Sequence, residues 1–244
     1  MRLHVTGATG YLGSELVGLR PDATSERVEI RHADAVEALL RRLRPDVVIH
    51  TAYRQDGPTA RATNVDGAEN VARAAAHVGA RLVHLSSDVV FDGRKGEPYV
   101  EEDQLTPVSE YGRTKAEGER RVANAHPEAL VVRTSLIVGG ERPSKHELAA
   151  AEPRTWFTNE IRSPVQVADL AAALLELAEL DVSGPLHVAG ADAVSRAEFA
   201  ELVARRPVAT AEAPPTRPLD CRLDSSQAQA LLRTRLRGVR EVFA

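Results

Sequence analysis

A doubly wound α/β chain with a parallel sheet is predicted by three observations. An alternating segment at residues 2–6 runs directly into glycines at positions 7, 10 and 13. Apolar runs recur at residues 46–50, 81–85 and 130–133. Stretches with helical spacing separate those runs. Short apolar runs with no polar face read as strands buried on both sides. Right-handed crossovers through the intervening helices make such strands parallel.

Taken in order, the first strand ends at Gly7-Ala8-Thr9-Gly10-Tyr11-Leu12-Gly13, and residues 14–17 continue as helix. Gly7 permits the tight turn, Gly10 lets the backbone approach a pyrophosphate, and Gly13 lets helix and strand pack closely. Amides at the new helix N-terminus would face the phosphates. One strand is predicted near residues 27–30, between Gly13 and Asp46. A helix over 35–43 follows, capped by Asp34, then helices over 65–78 and roughly 109–123. After Gly139-Gly140 proline and charge rise. Residues 167–180 form one more helix, and 207–218 read as an extended, linker-like stretch. The organisation expected is one domain over residues 1–244, with 136–164 and 182–244 forming a small substrate-binding lobe.

Composition narrows the function classes. At 244 residues, 43% hydrophobic and 27% charged, the chain has the material for a packed core and no run long enough to span a bilayer. A net charge of −4 exerts no pull towards nucleic acid or anionic membrane, so neither is expected as a partner. With structure expected from Arg2 on, no secretory leader is expected, and the single cysteine, Cys221, cannot form an intrachain disulfide. A cytoplasmic location is expected. The eight histidines show no ligand spacing, so no metal site is expected.

The chemistry-bearing group is Ser87, Tyr111 and Lys115. The i, i+4 spacing stacks the phenol of Tyr111 and the ammonium of Lys115 on one helix face. A tyrosine titrates near pH ~10 when unperturbed, and a cation one turn away favours the phenolate. Ser87, at the end of an apolar run, supplies a hydroxyl to hold a substrate oxygen. Together they can hand a proton to a carbonyl while a separate donor held at the glycine turn delivers hydride. The bland alternative is a surface pair on a charged helix. Asn64 reads equally as a helix cap or as a residue near the reacting centre. Arg162 reads equally as a bidentate partner for an anionic substrate oxygen or as one side of a salt bridge. Asp88 and Asp92 read as turn residues.

These residues resemble the extended short-chain dehydrogenases/reductases and, among them, the dTDP-4-dehydrorhamnose reductase family. The likeness runs through residues 46–52, Asn64-Val65-Asp66-Gly67, residues 85–93, Pro98-Tyr99 with Glu101-Glu102-Asp103, Tyr111 to Lys115, Arg133-Thr134-Ser135, Ser163-Pro164 and Asp169-Leu170-Ala171. It implies a Rossmann-like fold and an oxidoreductase that uses NADP or NAD. The implied reaction reduces a keto group of a sugar nucleotide by hydride transfer with the Ser87-Tyr111-Lys115 triad. It places the cofactor on Gly7, Thr9, Gly10, Tyr11, Leu12, Gly13, His32, Thr51, Ala52, Tyr53, Tyr111 and Lys115, with Lys115 on the nicotinamide ribose. It places the substrate on Ser87, Val89, Tyr111, Leu136 and Arg162. Val89 and Leu136 stand where the family usually carries aromatic residues, so weak turnover of dTDP-4-dehydrorhamnose is expected. The stretch that normally reads the adenosine ribose is shortened, with Glu29, Arg31 and His32 as candidates to replace it. A homodimer through a helix pair including the Tyr111 helix is compatible with this pattern. Two alternatives stand beside reduction. One is epimerisation of a sugar nucleotide by the same triad. The other is a non-catalytic dinucleotide-binding subunit, as in the regulatory subunit of methionine adenosyltransferase. Dehydration is disfavoured, because Asp88 is followed by Val89 and not by a second acid.

Overall fold

A computed structural model describes residues 1–244. In chain order the elements begin β1 (Leu3–Thr6), α1 (Tyr11–Leu19), α2 (Ala33–Leu43), β2 (Val47–His50), a π-helical turn (Ala62–Gly67), α3 (Ala68–His77) and β3 (Arg81–Ser87). A 3₁₀ turn (Asp88–Val90) leads to α4 (Glu110–Ala125), β4 (Leu130–Thr134), β5 (Ile137–Val138), α5 (Lys145–Ala151), β6 (Thr155–Phe157), β7 (Ile161–Arg162) and β8 (Val165–Gln166). The chain ends with α6 (Val167–Leu177), β9 (Gly184–His187), β10 (Val194–Ser195), α7 (Arg196–Ala204), β11 (Ala209–Ala211), α8 (Ser226–Leu231) and α9 (Val239–Val242). No helix is long and apolar enough to cross a membrane.

The main sheet has the order β1-β2-β3-β4-β9, and β1, β2 and β3 pair in parallel. Its first, second and fourth strands are buried along their whole length, as strands covered by helices on both faces must be. The chain divides into two compact units. The first comprises Met1–Ser86, Glu110–Val132 and Ala171–Pro185. Its core joins Val36 and Leu40 of α2, Val71 and Ala75 of α3 and Val122 of α4 to Val48, Leu82 and Val131 of the sheet. The apolar positions of α2, at 36, 39 and 40, follow the helical period and are the ones buried.

Three expectations are corrected in this unit. No strand forms at residues 27–30. The only pairing beyond β1 is a single parallel bridge between His4 and Thr24, held by Thr24 N–H to Leu3 O (2.8 Å) and Val5 N–H to Thr24 O (2.9 Å). By Thr24 the chain has already reached the edge of β1, and residues 25–30 then line a cleft instead of continuing the pairing. Asp34 does not cap α2. His32 holds that position without a side-chain cap, and Asp34 sits in the first turn, where its charge complements the helix dipole. Helical structure before α3 begins at Ala60 and runs through the π turn, and α3 proper ends at His77.

The second unit comprises Ser87–Ser109, Arg133–Leu170 and Leu186–Ala244. Its core gathers Trp156, Val194, Phe199 and Val239, with Leu136 packed against them. Arg154 and Arg196 stack on Trp156, with guanidinium carbons 4.7 and 5.2 Å from the ring centroid. Residues 207–218 are more than a linker. Ala209–Ala211 pairs in parallel with β6, so this stretch adds a strand to the small unit.

Two helical glycines give opposite predictions. At Gly118 in α4 an added Cβ would lie 2.4 Å from the backbone oxygen of Asn64, whereas at Gly18 in α1 nothing lies within 4 Å. Gly18→Ala should stabilise the chain by up to about 1 kcal/mol through helix propensity. Gly118→Ala should destabilise it by roughly 1–3 kcal/mol through overpacking, despite the same propensity gain. Urea unfolding of the two variants beside the parent checks both signs at once.

Candidate functional site

The first unit contains a cleft of about 530 Å³. Its walls are the glycine turn after β1, residues 25–30, residues 51–54 and Thr63. The turn lies hard against the end of β2. Gly7 has φ +76°, and a Cβ there would meet Ala52 N and Thr51 Oγ1, each at 2.7 Å. Thr51 Oγ1 donates to Thr6 O at 2.8 Å, and Thr6 Oγ1 meets His50 Nδ1 at 2.6 Å, which ties the ends of β1 and β2 together. At Gly10 a Cβ would touch only Gly7 O, at 3.1 Å, so the space beyond it belongs to the cleft. Gly10 is also the N-cap of α1, with no side-chain cap over the helix end. Of the residues assigned to a cofactor, Gly7, Thr9, Gly10, Thr51, Ala52 and Tyr53 line the cleft. Leu12 and Gly13 are buried where α1 packs, and Tyr11 opens that helix. His32 stands at the N-cap of α2 and is not part of the lining.

Tyr111 lies in the first turn of α4, with its ring centroid 5.9 Å from that of the cleft residue Tyr53. One turn on, Lys115 is buried, and its Nζ donates to Leu85 O at 2.7 Å. Burial pulls the Lys115 ammonium down to about 8, against the attraction of Glu119. His50 and His84 are register partners on adjacent strands, stacked 5.2 Å apart and buried. Burial first and the Lys115 charge second push His50 down to about 3 and His84 well below the ordinary histidine range. Both rings are therefore neutral, and Lys115 is the cation of this buried cluster. Glu119 accepts a hydrogen bond from Ser86 Oγ, so Ser86 fastens β3 to α4.

Asn64 is not a helix cap. It sits inside the π turn, where its amide accepts from Arg54 N–H (2.9 Å) and donates to Arg54 O (2.8 Å) and Thr114 Oγ1 (3.0 Å). One side chain thus fixes the loop that carries Tyr53 and Arg54 against the helix that carries Tyr111. The backbone of the same residue approaches α4 at Gly118, where only hydrogen fits.

The remaining assigned residues belong to the second unit. Ser87 closes β3, and its Oγ donates to Asp88 Oδ1 at 3.3 Å. Asp88 is buried, accepts from Ser135 Oγ at 2.6 Å and lies 3.6 Å from Arg162 Nε. Burial raises the Asp88 carboxyl above its ordinary range, although Arg162 and the hydroxyls oppose the shift. Arg162 is itself buried and donates to the carbonyls of Ile161, Pro218 and Leu219. Its guanidinium is occupied by backbone and by the Asp88 contact. Val89 lies in the 3₁₀ turn, half-buried, and Leu136 packs on the cluster that holds Trp156. Asp92 does serve its turn, accepting from Arg94 N–H and Tyr99 O–H.

Several residues at these sites escape sequence reasoning. Arg27 and Arg54 line the cleft, and His50 and His84 flank Lys115. No local spacing marks them, because strand register and loop paths bring them there.

The model of the family described as RmlD substrate binding domain matches residues 1–243. The dTDP-4-dehydrorhamnose reductase of Mycobacterium tuberculosis is 38% identical over 247 residues, covering 87% of this chain and 81% of that protein. The beta subunit of methionine adenosyltransferase 2 from Bos taurus is 32% identical over 238 residues, covering 83% and 71%. Among solved structures, dTDP-4-dehydrorhamnose reductase from Bacillus anthracis in complex with NADP superposes with a TM-score of 0.86 at 26% identity, covering 99% of this chain and 95% of that one.

The Lys115 environment sets a pH dependence. The folded chain holds this proton only below about 8, the unfolded chain up to its ordinary 10.5. Between those values the unfolded state binds more protons, so this residue makes stability rise with pH across that window. Lys115→Met abolishes the rise. The parent should gain on the variant by on the order of 3 kcal/mol between about pH 8 and pH 10.5. Denaturant midpoints of both proteins across that range measure it.

Proposed function

The chain belongs to the RmlD substrate binding domain family, to which its dTDP-4-dehydrorhamnose reductase relatives lead, and on that premise we propose that it is an NAD(P)-dependent reductase acting on the keto group of a sugar nucleotide. The observation that carries the reading is the adjacency, within the first unit, of the glycine-walled cleft and the Tyr53–Tyr111 contact, with Lys115 one helical turn on. A dinucleotide fits that cleft. The wall at Gly10 has no side chain, the helix end behind it has no side-chain cap, and β2 presents Thr51, Ala52 and Tyr53 opposite. These residues would hold the cofactor, whose contribution when bound is the two-electron reduction that protein side chains do not supply.

The chain's own part is proton delivery and placement. Tyr111 gives its phenolic proton to the carbonyl oxygen as general acid. Lys115 stays cationic below about pH 8 and favours the phenolate that Tyr111 leaves behind. An ammonium has three N–H donors, and Leu85 O takes one, so others remain for the phenol side and for the nicotinamide ribose. Ser87 follows two residues after Leu85 and steadies the developing alkoxide with its hydroxyl. The aliphatic Val89 and Leu136 remove aromatic contacts worth about 0.5–1.5 kcal/mol each, which lowers affinity for dTDP-4-dehydrorhamnose relative to an aromatic-lined pocket. The substrate expected is a different 4-keto sugar nucleotide or a smaller ketone. The second reading, a non-catalytic dinucleotide-binding subunit, is favoured by the likeness to the methionine adenosyltransferase beta subunit.

Two measurements separate the readings. Gly10→Val should abolish dinucleotide binding in a titration while the circular dichroism spectrum is retained, because the new side chain fills the approach to the cleft. Unchanged affinity would remove the cofactor from this turn. Tyr111→Phe keeps the ring and should leave dinucleotide affinity nearly intact. In single-turnover assays over a panel of 4-keto sugar nucleotides its rate should fall by roughly 10²–10⁴-fold. Turnover at the parental rate would take the phenol out of the reaction, and a parent that binds dinucleotide but turns over nothing would favour the regulatory reading.

A further inference from the structure

Ser87 closes β3 with a single hydroxyl hydrogen, and a buried carboxyl group competes for it. Ser87 Oγ donates to Asp88 Oδ1 at 3.3 Å, so the hydrogen that a developing alkoxide needs is turned into the protein. Asp88 is 2% exposed, and its two oxygens are placed differently. Oδ2 accepts from Ser135 Oγ at 2.6 Å, and Ser135 is held in that sense because its own oxygen accepts from Ser163 N–H at 3.2 Å. Oδ2 is thus the accepting end of the carboxyl group, and Oδ1 is the end that faces Ser87.

The neighbouring charges do little to hold Asp88 as an anion. Arg162 Nε lies 3.6 Å from Oδ2, too far for a hydrogen bond, and the outer nitrogens of that guanidinium donate to the carbonyls of Ile161, Pro218 and Leu219. The other titratable groups that act with Asp88 are Arg196, at the start of α7, and Cys221. Burial pulls Arg196 down to about 10 and pushes Cys221 up to about 12, so the first stays cationic and the second stays a thiol. A carboxyl group so buried, with no hydrogen-bonded cation, favours its neutral form, and burial raises Asp88 above its ordinary range against the pull of Arg162. An ionised carboxylate only accepts, so it would keep the hydrogen of Ser87. A carboxylic acid with its proton on Oδ1 donates to Ser87 Oγ and frees that hydrogen. We propose that Asp88 is a positioning residue of the second kind: it holds a proton on Oδ1, donates to Ser87 Oγ and turns the serine hydroxyl to the substrate oxygen. Asp88 keeps this proton through the turnover, while the one passed to the carbonyl comes from Tyr111. The proposal rests on the reductase reading given above and adds what orients the serine.

Infrared difference spectra of the full chain, parent minus Asp88→Asn, read the proton directly. They should show the carbonyl stretch of a protonated carboxylic acid that persists above the pH range of exposed carboxylates. Ser87→Ala should shift that band, because the acceptor is lost. A carboxylate signal alone above that range, or a band indifferent to Ser87→Ala, overturns the proposal whether or not a substrate is known. Single-turnover reduction of the 4-keto sugar nucleotide panel, with cofactor saturating, reads the consequence. The parental rate should fall as Asp88 loses its proton with rising pH. Asp88→Asn, whose amide still donates to Ser87, should remove that fall. Asp88→Ala should lower the rate by up to about 10-fold, the worth of one hydrogen bond, with half-saturation little changed. In a Ser87→Ala background neither replacement should change the rate further. Equal effects in both backgrounds would make Asp88 a structural residue only. If no member of the panel turns over, the reductase reading falls, and the infrared result decides the Asp88–Ser87 contact by itself.

Discussion

Contact between bare backbones at the glycine turn is the constraint on which the first unit depends. A Cβ at Gly13 would lie 2.2 Å from Gly7 O, and one at Gly7 would lie 2.7 Å from Ala52 N. Such distances can be met only by hydrogen, so α1 is laid on β1 and the turn is pressed on the end of β2 with no side chain between them. The cleft exists because of that approach. Its floor is backbone, and its open wall at Gly10 is the place where a side chain has been left out. The hydroxyls of Thr6 and Thr51 then hold the two strand ends at the fixed spacing the turn requires.

The second feature is a buried polar cluster behind the Tyr111 helix. Lys115, His50, His84 and Glu119 are all buried. Burying an ammonium costs several kcal/mol unless it is bonded, and the chain responds by giving it the Leu85 carbonyl and by lowering its proton affinity. The two histidines stay neutral in the same interior. As pH falls below the ordinary 6.5 of His50, the unfolded chain takes up protons that the folded chain refuses down to about 3. Stability is therefore lost on the acid side through the same cluster that shapes Lys115. Glu119 through Ser86, and Asn64 through Thr114 and Arg54, lock α4 to β3 and to the loop bearing Tyr53. The helix is held at several points along its length, which keeps Tyr111 at a fixed distance from the cleft.

The shortened segment after α1 has a structural consequence and a chemical one. β1 becomes an edge strand with one bridge beyond it, and the residues that would have paired there instead form an exposed wall of the cleft. Backbone freed from a ladder needs other partners, and Thr24 supplies the only two such bonds on that edge. The charges of residues 26–29 then settle among themselves and with α2.

Much of this was legible in the sequence, and the physical reason is locality. The glycine spacing needs no partner to be read, because turn, helix start and close packing follow from residues within one turn of one another. The alternation of apolar runs with helical patterns gave the sheet and its helices. Tyr111 and Lys115 share a face by helix geometry alone, and the family resemblance followed from motifs in single segments. Tertiary structure decided what depends on distant residues. Residues 27–30 read as a strand, but in the fold they line the cleft and join no sheet. Asn64 suits a cap by chemistry and was drawn into a π turn by α4 and residue 54. Arg162 was open to either reading until the carbonyls of residues 161, 218 and 219 took its donors.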